Sequence, residues 1–403
     1  MVDGLQASAD RRVISGIRVV TPTQVLYGAA MTIAENQIAD LAGSPEPFPG
    51  GEEDWLIPGL IDTHVHGAGG ADIMDARLDS LLEVARTLLR LGTTAFLATT
   101  MTATESRLAA SLQAVNNFIS LSSHSGNSPA FRNSGQRRNY PDTAECLGVH
   151  LEGPFISGQF SGAQKTVHLR EPSLGLLHKF QAWSGNNLKI LTLAPELPGS
   201  EALITESIRL GIIPSAGHTA ADWSEARQGK KWGIRHITHG FNAMRRLHHR
   251  EPGLIGMALT DDEVMLEVIA DLVHLHHSIL GILYRLKGAD RLVLVSDGMR
   301  ALGMPEDEYE LGGQTVLVRQ GEARLADGSL AGGVASLLDG VKTMIFKVGV
   351  PVPEAVRMAS LVPAGLLGLD RRAGSLEKGK EATFLRLDPD WNIKEIWVRG
   401  QIV

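Results

Sequence analysis

Seven side chains that can bind a metal ion or move a proton follow directly after strand-like segments of the sequence. They are His64, His66, Glu152, His218, His239, His274 and Asp297. Imidazole and carboxylate groups are ligands for Zn²⁺, Fe²⁺ or Mn²⁺. An ion with an open coordination position lowers the pKa of a bound water, and a neighbouring Asp can take the proton and return it to a leaving amine. These residue types therefore predict a metal-dependent hydrolase.

Each of these signals is weak when it is taken alone. The chain holds 14 histidines, and His274 and His276 form a second His-x-His pair besides His64 and His66. A single His after a strand is more often a structural residue, and Asp297 suits a turn. A structural explanation would have to hold at five or six strand ends at once, so the joint pattern favours a metal site.

Other catalytic classes lack their sequence signatures. No GxxxxGK[ST] phosphate loop, no GxGxxG after a strand and no GxSxG nucleophile elbow occurs in the chain. The single cysteine, Cys146, excludes a disulfide scaffold and a Cys-rich zinc site. Because Cys146 lies just before an apolar strand-like run, we expect a core thiol rather than a nucleophile.

A basic segment follows the sixth predicted strand. Residues 242–253, NAMRRLHHREPG, bring Arg and His side chains together on a chain whose net charge is −7. Two interpretations stay open, a solvated loop or an anion pocket in which an arginine fork binds phosphate. The position of the segment beside His239 favours the anion pocket.

Strand-like and helix-like segments alternate through the middle of the chain. Apolar residues at 78, 81, 82, 85, 88 and 89 place one face of a helix in the core. Eight such repeats predict a (β/α)₈ barrel, in which the strand ends meet at the C-terminal rim that holds the active site. A doubly wound sheet is the alternative, disfavoured by the eight repeats and the missing dinucleotide fingerprint. The predicted strands are 56–62, 94–98, 147–151, 188–193, 212–215, 234–238, 264–270 and 291–296, and the predicted helices are 77–91, 103–121, 171–183, 200–210, 220–228 and 276–286.

Both ends of the chain resemble strands. Short apolar or alternating runs occur at 13–20, 24–27, 30–33 and 37–42, and again over 382–403. We therefore predict an α/β protein with two domains. A small β-sandwich domain is formed from residues 1–56 and 369–403, and the hydrolase barrel spans residues 57–368.

Composition and charge argue against several kinds of partner. With 43% hydrophobic and 21% charged residues, the chain is typical of a globular protein. The acidic balance argues against nucleic acid, and no apolar run reaches the 18 residues that a membrane span needs. The N-terminus lacks the apolar core of a secretory signal, and we expect a cytoplasmic protein. Residues 122–143 are polar and are interpreted as a long surface loop, with a lid or a subunit contact as the alternative.

Motifs spread from residue 58 to residue 333 resemble the N-acetylglucosamine-6-phosphate deacetylase family of the amidohydrolase superfamily. They are PGLIDTHVHG, HLEGPF, AGHT, THGFNAM, REPG, IAD-x-x-H, SDG and DGSLAGG, in this order. The combination of LEGPF, TH-x-x-NAM and REPG is specific to that family, whereas His-x-His alone indicates only the superfamily. The resemblance covers essentially the whole chain, including both strand-rich ends.

This resemblance implies a metal centre made of five residues. Glu152, His218 and His239 match the primary metal ligands of the family. His64 and His66 match a pair that some members keep and others lose, and members that keep it hold two ions bridged by the glutamate. The implied cofactor is one or two divalent ions per subunit, such as Zn, Fe or Mn.

The resemblance also implies how the substrate is held and cleaved. Asp297 matches the catalytic Asp, and His274 matches a His near the scissile acetamide. Arg250 matches the arginine that binds the phosphate. Further substrate-binding positions match Ala163, Gln164, Asn242, Ala243, Leu330, Ala331 and Gly332.

Three positions depart from the usual pattern of the family. Gln164 stands where many members have His, Leu272 stands where a glycine is usual, and Gly298 stands where an alanine is usual. These changes spare the expected metal ligands and Asp297. They bear on the identity of the sugar rather than on the type of reaction.

The function implied by the resemblance is hydrolysis of the acetamide of N-acetyl-D-glucosamine 6-phosphate to D-glucosamine 6-phosphate and acetate, in amino-sugar catabolism. N-acetylgalactosamine 6-phosphate or another phosphorylated N-acyl amine is the alternative substrate. A cyclic amidase or dipeptidase is disfavoured because no lysine stands out as a carbamylated metal bridge. An inactive sugar-phosphate-binding protein is a further alternative, and the intact ligand set argues against it. Homodimers are usual in this family, so a homodimer is expected, with residues of a neighbour near the phosphate.

Overall fold

Strands and helices alternate through the middle of the chain, and both ends contain strands alone. The computed structural model describes residues 11–47, 53–122, 140 and 142–403. The first strands are β1 (Arg11–Val20), β2 (Val25–Ala34), β3 (Gln37–Ser44) and β4 (Trp55–Pro58). The next elements are β5 (Leu60–Val65), β6 (Gly67–Ala68), β7 (Ala71–Asp72), α1 (Leu78–Arg90), β8 (Thr93–Thr100), α2 (Glu105–Ser122), β9 (Glu145–Glu152), α3 (Leu174–Trp183), β10 (Leu188–Leu193), α4 (Ser200–Arg209), β11 (Ile213–Ala216), α5 (Trp223–Trp232), β12 (His236–Ile237), α6 (Gly253–Leu259), β13 (Met265–Ile269), α7 (His277–Lys287) and β14 (Leu292–Val295). The chain continues through β15 (Glu308–Leu311), β16 (Gln314–Arg319), β17 (Glu322–Leu325), α8 (Leu337–Thr343), α9 (Val352–Met358), α10 (Leu361–Leu366), β18 (Phe384–Leu387), β19 (Ile393–Val398) and β20 (Gln401–Ile402).

Eight parallel strands form the barrel that the sequence predicts. Their order is β5, β8, β9, β10, β11, β12, β13 and β14, which is also their order along the chain. A parallel bridge between Val65 and Gly298 joins the last strand to the first. Each strand is followed in sequence by one of the helices α1 to α8. Strands such as β8 are buried along their whole length, as expected for a parallel sheet with a filled interior and helices outside.

The two ends of the chain pair in a second sheet. Its order is β20-β19-β18-β4-β1-β2-β3, with β4 between the C-terminal strand β18 and the N-terminal strand β1. Side chains along β4 alternate between the faces, since Trp55 and Ile57 pack in the barrel's apolar cluster while Leu56 packs in a separate cluster with Ile17 and Phe384. The predicted (β/α)₈ barrel with a β unit built from both termini is therefore confirmed. The division at residues 56 and 369 stays a prediction.

The predicted strand 56–62 consists of two strands that belong to different sheets. β4 ends at Pro58 in the terminal sheet, and β5 begins at Leu60 in the barrel. Gly59 joins them, and a Cβ at this position would collide with the side chain of Thr94. Because both strands are apolar, their sequence shows one continuous run. The boundary between β4 and β5 falls at Gly59, where the backbone passes close to Thr94.

A three-stranded antiparallel sheet, β15 to β17, lies between β14 and α8 and was not predicted. It is tethered at the C-terminal end of the barrel. The Gln314 side chain donates to the carbonyl of Ala163 over 2.7 Å, and Lys165 donates to the carbonyl of Gly313 over 3.0 Å. The insert therefore lies against the loop that follows β9.

The interpretation of residues 122–143 as a surface loop falls almost wholly outside the described residues. Among the described helices, none is both long and apolar enough to cross a bilayer.

We expect Gly59→Ala to destabilise the fold by about 1–3 kcal/mol, because the added methyl must displace the buried Thr94. Thermal unfolding followed by circular dichroism measures the effect. Gly365→Ala in α10 is the matched control, since no atom lies within 4 Å of its added Cβ and alanine favours helix. Equal melting temperatures for the two variants would contradict the close-approach account of the β4–β5 junction.

Candidate active site

Three of the predicted site residues lie at equivalent points of the barrel and share an unusual backbone conformation. His218, His239 and Asp297 each stand two residues beyond a strand, after β11, β12 and β14. Their φ angles are +46°, +27° and +47°, in the left-handed region that side-chain-bearing residues rarely adopt. Strain repeated at three equivalent positions indicates a functional constraint, here the need to place each side chain at the barrel mouth.

The carboxylate of Glu152, at the end of β9, is the point on which four histidines converge. Its Oε1 atom lies 3.0 Å from Nε2 of His218, 3.0 Å from Nε2 of His239 and 3.4 Å from Nε2 of His64. Its Oε2 atom lies 3.4 Å from Nε2 of His66. The glutamate is only 2% exposed, so protein groups rather than bulk water surround its charge.

Asp297 joins the histidines on the other side of this cluster. Its Oδ1 atom lies 3.4 Å from Nε2 of both His64 and His66, and those two nitrogens are 3.4 Å apart. Glu152 therefore stands between two groups of ligands, one with His218 and His239 and one with His64, His66 and Asp297.

Hydrogen bonds on the far side of two rings determine which nitrogen carries the proton. Nδ1 of His218 donates to the carbonyl of Phe160 over 2.9 Å, and Nδ1 of His64 donates to the Glu267 carboxylate over 3.0 Å. In a neutral ring, each Nε2 then presents a lone pair towards Glu152. Facing lone pairs repel each other unless a proton or a cation lies among them.

The spacing of these groups fits a divalent ion. The Nε2 atoms of His218 and His239 are 3.1 Å apart and both lie 3.0 Å from the same oxygen of Glu152. Zinc–nitrogen bonds of about 2.0–2.1 Å in a tetrahedral shell imply ligand separations of about 3.3 Å. The triads His64–Glu152–His239 and His64–His66–Asp297 each bring three ligand atoms within 4.8 Å of one another. Both the donor types and their distances therefore fit a metal centre.

The pKa shifts within the cluster also indicate that it holds positive charge. Burial opposes a charge on His66, but Asp297 and Glu152 outweigh it and raise its pKa to about 9. Burial also opposes charge on Glu152 and Asp297, yet the surrounding histidines hold the pKa of each carboxyl below its usual range. The carboxylates stay ionised at neutral pH, so the cluster requires positive charge between them.

A sixth strand supplies a residue that the sequence-based prediction missed. Glu267 in β13 is fully buried, binds His64 through its carboxylate and accepts the backbone N–H of His239 over 3.2 Å. Burial opposes its charge, but His64 and other histidines lower its pKa to about 2. A glutamate inside the apolar run of the predicted strand 264–270 was the available signal.

A cavity of about 250 Å³ opens above the cluster and contains most of the predicted substrate-binding residues. His274 is held there by a 2.7 Å contact between its Nδ1 and Asp271. Met101, Gly162, Leu311 and Ser329 also line the cavity and were not predicted. Its described walls are His66, Met101, Glu152, Gly162, Ala163, Gln164, His218, His239, Asn242, Ala243, His274, Asp297, Leu311, Ser329, Leu330 and Gly332.

Two predicted substrate-binding residues lie elsewhere. Arg250 is exposed, contacts His249 over 3.0 Å and is not part of the described cavity wall. Ala331 is fully buried between the lining residues Leu330 and Gly332. The barrel thus brings the predicted metal-site residues together within one chain but leaves the predicted phosphate-binding arginine outside the described wall of its own cavity.

Two residues that the sequence singled out have different surroundings. Leu272, where the family usually has glycine, has a φ of +67° and an exposed side chain next to the Asp271–His274 pair. Cys146 is buried in the core, and burial raises the pKa of its thiol to about 12, as expected for an unreactive core residue.

The barrel and the His–carboxylate cluster at its C-terminal end define a hydrolase of the metal-dependent type. The model of the amidohydrolase family matches residues 55–403, and the chain belongs to this family. The chain is 37% identical to the N-acetylglucosamine-6-phosphate deacetylase of Vibrio furnissii, over 96% of this chain and 93% of that one. It is 35% identical to the N-acetylgalactosamine-6-phosphate deacetylase of Escherichia coli O157:H7, over 97% and 98%. The solved structure of N-acetylglucosamine-6-phosphate deacetylase from Thermotoga maritima superposes with a TM-score of 0.84 at 32% identity, covering 97% of this chain and 99% of that one.

We expect metal binding near neutral pH to release protons. His66 is protonated below its pKa of about 9, and an imidazole must be neutral to bind a metal, so the ion displaces the proton. Calorimetric titration with Zn²⁺ in two buffers of different ionisation enthalpy measures the number released. At least one proton per chain is expected, and the number should fall as the starting pH approaches 9. A release of zero near neutral pH would contradict the charge assignment.

Proposed function

We propose that the protein hydrolyses the acetamide of N-acetylglucosamine 6-phosphate to glucosamine 6-phosphate and acetate. The observation that carries the proposal is an ionised Asp297 at the wall of a sugar-sized cavity, beside a cluster of His and Glu side chains spaced to hold a metal. The similarity to amino-sugar phosphate deacetylases over nearly the whole chain supports the same substrate class.

Glu152, His218 and His239 would hold one divalent ion, and His64 and His66 would hold a second with Glu152 between them. A bound ion would polarise the acetamide carbonyl and lower the pKa of a bound water. The types of these side chains suit Zn, Fe and Mn alike, since all three ions accept imidazole and carboxylate ligands.

Asp297 acts as the base and then as the acid. It is ionised at neutral pH, and as a carboxylate it can accept a proton from the attacking water. Attack forms the new carbon–oxygen bond, and the carbon–nitrogen bond then breaks. The proton on Asp297 passes to the leaving amine, and acetate carries away the water oxygen.

The cavity walls orient the substrate. Nδ1 of His274 donates to Asp271, so Nε2 donates to the acetamide carbonyl only when the ring is protonated. Burial opposes a charge on His274, but Asp271 outweighs it and raises the His274 pKa, which favours a donating ring. Asn242 and Ala243 on one side and Leu330 and Gly332 on the other would enclose the sugar.

A homodimer explains the position of Arg250. The side chain is exposed outside its own cavity, so it would bind the phosphate in the cavity of a partner subunit. Leu247 in the same loop and Leu272 at the rim are large exposed apolar side chains that such a contact would cover. A cytoplasmic location is part of the same proposal, and the single unpaired cysteine is compatible with it.

The direct test is acetate release from N-acetylglucosamine 6-phosphate by the purified protein. We expect release that a chelator abolishes and added metal restores, and slower release from the galactosamine epimer.

Asp297→Asn should lower kcat by about 10²–10⁴-fold while Zn²⁺ stays bound through Glu152, His218 and His239. No release from the fully metal-loaded protein would refute the proposed reaction, and near-normal turnover by Asp297→Asn would refute the role of Asp297.

Mixing Arg250→Ala and Asp297→Asn chains, assayed at a substrate concentration well below the KM of Arg250→Ala, tests whether Arg250 acts across subunits. Arg250→Ala and Asp297→Asn chains, refolded or co-expressed together, form mixed dimers in which one site holds both Asp297 and the partner's arginine. If the arginine acts across the interface, activity should recover to about a quarter of wild type, because half of randomly mixed dimers are hybrids with one intact site. Activity no higher than the mean of the separate variants would place Arg250 in its own site or outside the mechanism.

A further inference from the structure

The side chain of Gln164 connects the barrel backbone to the central carboxylate. Its Oε1 accepts the backbone N–H of Thr102, just beyond β8, over 2.7 Å. A backbone N–H can only donate, so the atom that it meets must be the amide oxygen. The amide NH₂ group is therefore directed away from Thr102, and it donates to Oε2 of Glu152. The orientation of this amide is determined by its partners.

This hydrogen bond separates the roles of the two oxygens of Glu152. Oε1 faces His218 and His239 at 3.0 Å and His64 at 3.4 Å, and Oε2 faces His66 and the Gln164 amide. Gln164 is only 4% exposed, so water has little access to replace it. Among the contacts of Oε2, the amide is a neutral donor anchored to the backbone, whereas the imidazole of His66 would itself bind the metal.

The loop that carries Gln164 is also held in place. The backbone N–H of Gln164 donates to the carbonyl of Ser161 over 2.9 Å. The adjacent carbonyl of Ala163 accepts from Gln314 in the β15–β17 insert over 2.7 Å. Gln164 therefore reaches Glu152 from a tethered loop, which is what a group that orients another side chain requires.

We propose that Gln164 is a positioning residue for the metal centre, holding the carboxylate plane of Glu152 so that Oε1 serves the His218–His239 side and Oε2 the His66 side. Both polar atoms of its side chain are engaged, with Thr102 and with Glu152, which leaves at most one N–H for a sugar. This differs from the substrate-binding role that the family resemblance implies for this position. The inference rests on the proposed metal-dependent function.

Gln164→Met tests the proposal, because methionine has a similar length but cannot donate to Glu152. Gln314→Met is the matched control, since Gln314 holds the same loop through Ala163 without touching Glu152. The Zn²⁺ dissociation constant of each protein is measured by competition with a chromophoric chelator, and kcat and KM are measured at saturating Zn²⁺.

We expect Gln164→Met to weaken Zn²⁺ binding by about 10–100-fold, the usual effect of losing a group that orients a metal ligand. Its KM at saturating Zn²⁺ should stay within about threefold of wild type. The Zn²⁺ affinity of Gln314→Met should stay within about threefold of wild type, because the Lys165–Gly313 and Gln164–Ser161 hydrogen bonds still hold the loop. Gln164→Asn keeps the amide but is too short to span Thr102 and Glu152, so it should weaken Zn²⁺ binding in the same way and serves if the methionine variant does not fold.

An unchanged Zn²⁺ affinity in Gln164→Met, together with a raised KM, would overturn the proposal and assign Gln164 to the substrate. The Zn²⁺ competition needs no substrate, so it gives a result even if the proposed reaction is wrong. Wild-type protein that releases no acetate would refute the proposed function, and the difference in Zn²⁺ affinity between the two methionine variants would still decide the role of Gln164.

Discussion

The charge on Glu152 is the constraint from which the architecture of the site follows. A carboxylate with 2% exposure has lost most of its water, and an uncompensated buried charge costs several kcal/mol. Four imidazole rings face its two oxygens at 3.0–3.4 Å, and hydrogen bonds to Phe160 and Glu267 direct the lone pairs of two of those rings towards it. Positive charge must therefore lie among these groups, and a divalent ion meets that need with the ligands already in place.

The barrel meets this constraint by bringing five of its strand ends, those of β5, β9, β11, β12 and β14, to one point. His218, His239 and Asp297 reach it only through left-handed backbone conformations two residues beyond their strands. Each such residue costs of order 1–3 kcal/mol, which the packing of the surrounding barrel must offset. Below them Glu267 contacts both His64 and the backbone of His239, so the floor of the barrel ties the two ligand groups together.

Contacts that the sequence motifs did not reveal complete the site. The β15–β17 insert holds the loop after β9 from above, and Gln164 in that loop reaches the central carboxylate from the side. Arg250 does not line the described cavity of its own chain. In the proposed function, the phosphate of the substrate is therefore bound by the arginine of a partner subunit. The residues proposed to cleave the amide thus lie together within one chain, whereas Arg250, the residue proposed to bind the phosphate, does not line the described cavity of that chain.

Local sequence patterns determined the βα alternation, the eight-fold repeat and the identity of His64, His66, Glu152, His218, His239 and Asp297, because periodicity and strand-end position are properties of neighbouring residues. They did not reveal that the run 56–62 is divided between two sheets, since an apolar strand has the same composition in either one. They also did not reveal Glu267 beneath His64, the binding of Gln164 to Glu152, or Arg250 outside the cavity. Those facts depend on distances between residues far apart in the chain, and such distances exist only once the barrel has closed and its loops have packed.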